Sequence, residues 1–217
     1  MPERQLILRM VADAILRLPA GQVVRVAVDG VDGAGKTVFG DELARILAAS
    51  ARTIIRASVD SFHHPRAARY RQGRDSPGGY FRDSYNYDQL KAILLDPLSP
   101  GGSGRYRIAA FDHRTDLPVA APEARAAAGD ILIFDGIFLH QAELRDYWDY
   151  SIFLQVGFDI SIPRGAQRDG TSPDPQAPGN RRYVEGQQLY LRTCEPSRFA
   201  TVVINNEALE SPHIVPR

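Results

Sequence analysis

An α/β fold with helices on both faces of a mostly parallel five-stranded sheet is predicted by two observations. Short apolar runs rich in β-branched residues alternate with segments of helical periodicity along the chain. The first such run passes through glycines directly into a helical pattern, giving strand, loop and helix in succession. Strands that are apolar at nearly every position belong in a sheet covered on both sides.

Leu6, Met10, Val11, Ala14, Ile15 and Leu18 recur at helical spacing, so the chain opens with an amphipathic helix that stops at residues 19–21, and its apolar stripe is read as core. Residues 23–29 form the first strand, and Val38, Phe39, Leu43, Ile46 and Leu47 mark the helix after the glycines. Further apolar runs at 53–59, 131–134, 151–156 and 201–204 bring the expected strand count to five. Helical patterns lie near 88–95, 163–168 and 183–192. Three stretches read as irregular: 63–82, rich in arginine, glycine and aromatics; 97–104, a turn-rich link; and 170–180, where Pro173, Pro175 and Pro178 forbid a continuous helix or strand. No period of 20 to 50 residues repeats, and one domain spanning 1–217 is expected.

Twenty-six basic residues balance 26 acidic ones, for a formal net charge of zero and a pI near 7.0. That balance gives no electrostatic footprint for nucleic acid or an anionic membrane, and neither is expected as a partner. Cys194 stands alone and is read as a core thiol, which suits a reducing compartment. Charges at Glu3, Arg4, Arg9, Asp13 and Arg17 interrupt the N-terminal stretch, so neither signal peptide nor membrane span is expected, and the location is read as cytoplasmic. Self-association is left open. All but two of the basic residues are arginine, which makes Lys36 and Lys91 informative.

Gly30-Val31-Asp32-Gly33-Ala34-Gly35-Lys36-Thr37 satisfies the phosphate-loop pattern. Glycines let the backbone curl so that consecutive amides face phosphate oxygens, and the following helix adds the positive end of its dipole. Lys36 would reach the β- and γ-phosphates of ATP, and the Thr37 hydroxyl would ligate Mg²⁺. Switches, motors and kinases share this loop. With lysine at only 36 and 91, the Asn-Lys-x-Asp motif of guanine-type switches is absent, and residues 131–136 end in one acid, Asp135, rather than the paired acids of motors. Asp135 suits a carboxylate that orders the metal's water shell. Asp60, at the end of the second strand, faces the crevice where such sheets bind ligands, and could accept a hydroxyl proton and contact the metal.

The phosphate loop, Val59-Asp60-Ser61-Phe62, the aromatic and acidic run 80–88, Phe134-Asp135-Gly136, and Arg164 followed by Arg168-Asp169 occur in an order that resembles the uridine kinase and phosphoribulokinase family. The resemblance implies a P-loop kinase that moves the γ-phosphoryl group of ATP onto a primary hydroxyl. Asp60 would be the base, Lys36 and Arg168 would act on the transferred group, and a lid at about 164–182 would close over it. Residues 30 and 32–37, with Arg164 and Arg168, would bind ATP; Thr37, Asp60 and Asp135 would hold Mg²⁺. Acceptor contacts fall to Asp83, Phe111 and His113, and the implied acceptor is a pyrimidine nucleoside such as uridine. Phe111-Asp112-His113-Arg114 stands where nucleoside-binding members show Tyr-Asp-Phe, aspartate stands at 135 where glutamate is common, and the lid carries prolines. Pantothenate, a sugar or a sugar phosphate is the alternative acceptor, and a non-catalytic nucleotide-binding regulatory module is the alternative function.

Overall fold

A computed structural model describes residues 3–216. Helix α1 (Glu3–Leu16) leads into β1 (Val24–Gly30) and α2 (Lys36–Leu47), then β2 (Ile54–Ser58) and the short helix α3 (Pro77–Asp83). After two-residue pairings between 105 and 125 come β3 (Ile131–Gly136), β4 (Tyr150–Gln155), α4 (Phe158–Asp169), α5 (Arg181–Cys194), β5 (Val202–Asn205) and β6 (His213–Ile214).

The sheet has six strands in the order β6-β5-β4-β1-β3-β2. All neighbours are parallel except β6, which pairs antiparallel with β5 through His213 and Ile214. The sixth strand corrects the expected five: two residues carry no readable periodicity, and their pairing comes from the chain folding back. Every position of β1 and β3 is buried, as strands covered on both faces must be. Ala27, Phe134 and Phe138 lie in one core; Val26, Val28, Phe39, Ile133 and Ile152 lie in the other.

The α1 stripe is rotated from the one expected. Ile7, Leu8, Val11, Ala12 and Ile15 are buried, while Leu6 and Met10 are about half exposed (49% and 48%). Arg4 continues the buried stripe because its guanidinium has partners: Glu42, the Asn206 side chain and the Leu209 carbonyl. Val38 also leaves the core, at 57% exposure.

The stretch 63–82, expected to be irregular, contains α3, capped by the Ser76 hydroxyl, which accepts from the Gly79 amide at 3.0 Å. This helix packs tightly on α5 at Gly186, where a Cβ would stand 2.8 Å from Tyr80 Cδ1 and 2.9 Å from the Pro77 carbonyl oxygen. Helix α4 runs longer than its pattern indicated, with Pro163 inside it, and ends at Gly170 in a left-handed C-cap. Residues 170–177 are irregular, as their prolines require. Asn180 ties this loop down, its Nδ2 donating to the carbonyls of Ser172 and Asp174, both at 2.8 Å. No helix among the described residues is long and apolar enough to cross a membrane.

Candidate active site

The C-terminal ends of β1, β2 and β3 meet at one edge of the sheet, and the loop after β1 fills the space between them. Gly33 and Gly35 have φ of 73° and 88°, a region that strains L side chains. A Cβ on Gly33 would also overlap the Ser161 carbonyl of α4. Through these turns the amides of Gly33, Gly35, Lys36 and Thr37 are left with no acceptor among the described residues, and no side chain caps α2. Four open N–H groups at a helix N-terminus form an anion-binding concavity. The Asp32 amide is already taken by Gln187 Oε1 of α5, at 2.6 Å.

Lys36 Nζ donates to the Val31 carbonyl at 2.8 Å, and the Thr37 hydroxyl donates to Asp135 Oδ2 at 2.8 Å. Arg56 donates to the other Asp135 oxygen at 2.9 Å, so the buried carboxylate is held from both sides. Lys36, Thr37, Asp60, Asp135 and Arg168 line one cavity of about 140 Å³. Among the described residues no three His, Cys, Asp or Glu side chains cluster as a self-sufficient metal site.

Asp60 and Arg168 also line a larger cleft of about 380 Å³, shared with Asp32, His63, Tyr80, Tyr85, His113 and Arg182. Asp60 sits in a single 3-10 turn after β2, its amide donating to Ser58 Oγ and its carboxylate accepting from the Tyr85 hydroxyl at 3.3 Å. One cleft wall is aromatic: the His63 ring centre lies 4.5 Å from that of Tyr85 and 4.6 Å from that of His113, tilted by 50° and 31°. Burial pulls His63 down to about 4, although the Asp60 carbonyl on its Nδ1 opposes this. Tyr80 donates to Asp32 at 2.6 Å, and burial followed by Asp32 holds its phenol well above the ordinary value.

Of the three expected acceptor residues, only His113 reaches this cleft. Asp83 turns to Arg71 and Gln72, whose hydrogen bonds outweigh the effect of burial and hold its carboxyl below the usual range. Phe111 is buried in a two-residue pairing with Pro118. Arg164 donates to the carbonyls of Asn206 and Glu207 and lines a third cavity, of about 470 Å³, with Gly33, Gly35, Val38, Arg168 and Leu209. Arg168 is paired with Asp169 and borders all three spaces. Cys194 is half-buried, and burial pushes its thiol up to about 11, unfit for a nucleophile.

Several residues now in view had no signal in the sequence. Asp29, fully buried, accepts from the Gly30 amide at 2.7 Å, from His140 Nδ1 at 2.6 Å and from the Tyr190 hydroxyl. It thus ties the phosphate-loop strand to α5. Arg182 falls at the end of the expected lid segment, in no motif. Its guanidinium is sandwiched among Tyr70, Tyr80 and Tyr183, with carbon-to-centroid distances of 5.0, 5.3 and 5.4 Å, close enough for cation–π attraction.

Solved structures share this architecture. A possible uridine kinase from Bacillus stearothermophilus matches with a TM-score of 0.72 at 20% identity, covering 92% of this chain and 97% of that one. A candidate fructose transport system kinase from Silicibacter sp. TM1040 matches at 0.64 and 23% identity, covering 85% and 94%. D-glycerate 3-kinase from Cryptococcus neoformans matches at 0.59 and 13% identity, covering 89% and 88%. At these identities the likeness is one of fold. No curated protein sequence matches the chain. The family model for phosphoribulokinase and uridine kinase matches residues 25–173, well over half the chain and including the phosphate loop, Asp60, Asp135 and Arg168; the chain therefore belongs to the phosphoribulokinase/uridine kinase family.

Proposed function

We propose that the chain, working as one domain, is an ATP-dependent kinase that phosphorylates a hydroxyl of a small molecule. The observation that carries this reading is the continuity of two sites: four unpartnered amides with Lys36 and Thr37 on one side, and a cleft entered past Asp60 on the other. In the reaction the acceptor oxygen forms a bond to Pγ as the bond from Pγ to the β,γ-bridging oxygen breaks, and ADP leaves. Asp60 takes the hydroxyl proton, and Lys36 and the loop amides hold phosphate oxygens. Arg168 is the lid cation that meets the charge developing on the transferred group. Residues 168–182 close over it and exclude water.

Thr37, Asp60 and Asp135 bring hard oxygen donors to the phosphate-loop cavity, a small set that fits Mg²⁺, which keeps most of its waters and takes few protein ligands. When bound, the ion neutralises phosphate charge. ATP's base would lie in the cavity lined by Val38, Leu209 and Arg164.

Uridine and cytidine are the acceptors the family resemblance implies, and the tilted rings of Tyr85, His63 and His113 give the cleft an aromatic lining against which a base could pack. Coupled ADP-release assays over nucleosides, sugars, sugar phosphates and pantothenate test the class. Lys36→Ala should lower both turnover and affinity for a fluorescent ATP analogue, and unchanged values would remove the assignment. ATP binding by the wild type without transfer to any acceptor would instead favour the regulatory module.

A further inference from the structure

On the reading that this cleft holds the acceptor, we propose that the acceptor carries an oxyanion, a carboxylate or a phosphate, which seats on Arg182. Arg182 is 8% exposed, and among the described residues no carboxylate lies within ion-pair distance of it. Its neighbours differ: Arg69 pairs with Asp116, Arg168 with Asp169 and Arg181 with Glu185. A buried guanidinium ordinarily has a counter-charge, because desolvating the ion is costly. The three tyrosine faces attract the cation without neutralising it. Of its five N–H donors, one on Nη1 goes to the Arg74 carbonyl and the one on Nε has no acceptor among the described residues.

The position of the charge decides what it can serve. Asp60 and Arg168 line both the phosphate-loop cavity and the cleft, whereas Arg182 lines the cleft alone. It therefore stands apart from the transferred group, on the acceptor's side. Arg69 shares that side, lining the same cleft, stacking on Tyr70 at 5.7 Å and leaving its own Nε unpartnered. A neutral acceptor would leave Arg182 uncompensated, and a cationic one would be repelled. What fits is a small hydroxy acid or sugar phosphate that offers its hydroxyl to Asp60 and its oxyanion to the guanidinium, which binds either anion through two parallel N–H groups.

Matched pairs that differ in one anionic group test this on the full chain: glycerate against glycerol, ribose 5-phosphate against ribose, and pantothenate against panthenol, with uridine as the neutral nucleoside. Calorimetric titration reads binding, and ADP release at fixed ATP and Mg²⁺ reads transfer. At least one anionic member should bind about 10² to 10³ times more tightly than its neutral counterpart, the ratio expected when a buried charge gains its partner. R182Q should erase that ratio by raising the acceptor KM, while R182K, which keeps the charge, should retain part of it and control for loss of fold. Three results would overturn the proposal: no anion binding in any pair, equal binding within pairs, or an R182Q defect in kcat alone that is the same for every acceptor, which would assign Arg182 to the transferred phosphate. Anion binding without phosphoryl transfer would keep the subsite and sink the kinase reading. Transfer to uridine without anionic preference would do the reverse.

Discussion

Replacing Tyr190 with phenylalanine deletes one oxygen and should destabilise the protein by about 2.5–6 kcal/mol. The ring would stay, packed 5.1 Å from Phe138 and 5.9 Å from Phe81, so no large cavity opens. Two buried polar groups lose their partner. The hydroxyl donates to the Asp29 carboxylate, and a hydrogen bond to a charged group contributes about 1.5–3 kcal/mol. It also accepts from the His140 amide at 3.0 Å, and leaving that buried N–H unsatisfied costs about 1–3 kcal/mol. Burial, followed by Asp29, holds the Tyr190 phenol well above its ordinary value, so the hydroxyl stays a donor across the working pH range. Urea unfolding followed by circular dichroism should show the midpoint falling by about 1 M or more at constant m. Affinity for an ATP analogue should fall too, because Asp29 also holds the Gly30 amide and α5 reaches Asp32 through Gln187. A loss under about 1 kcal/mol with unchanged m would mean that these partners are not the groups on which the buried carboxylate depends.

Other expectations concern the catalytic groups and the pH response. Asp60→Asn keeps shape but loses the basic oxygen, so turnover should drop about 10²- to 10⁴-fold with ATP binding intact; partial rescue by excess Mg²⁺ would shift its role to the metal, and full activity would exclude both. Arg168→Ala should lower turnover more than ATP affinity, and cleavage between 170 and 180 by a protease should slow when ATP and acceptor are both present; protection by neither, with normal turnover, would end the lid proposal. His63, depressed by burial from 6.5 to about 4, takes its proton more readily when unfolded, so its contribution to stability is present above about pH 6.5 and is lost as pH falls toward 4. That contribution is up to about 3 kcal/mol, and His63→Asn should flatten the urea-midpoint profile across this window, with Asp60, His113 and Arg69 as the neighbouring charges. An unchanged slope would mean that another group carries the acid sensitivity.

Sequence alone determined the features whose cause is local. Glycines at 33 and 35 are written in the chain because the backbone there must take positive φ, and Lys36 and Thr37 follow by spacing, so the phosphate loop could be read residue by residue. Alternating apolar runs with helical segments specify a doubly covered sheet for the same reason, since period and burial are properties of neighbours in sequence. What depends on distant segments meeting was decided only in three dimensions. Leu6 and Met10 are apolar like the core residues, yet α1 buries the face that carries Ile7, Leu8, Val11 and Ile15, and on it Arg4 meets Glu42 and Asn206. Asp83 and Phe111 look as fit for a cleft as Tyr80 and His113 do. Their fate turned on whether Arg71, Gln72 or a backbone pairing reached them first. Asp29, His140 and Tyr190 lie far apart along the chain and become one network because β1, the segment after β3, and α5 converge behind the phosphate loop. Arg182 is one arginine among many in the sequence, and only the fold surrounds it with three tyrosines and, among the described residues, no ion-pair carboxylate.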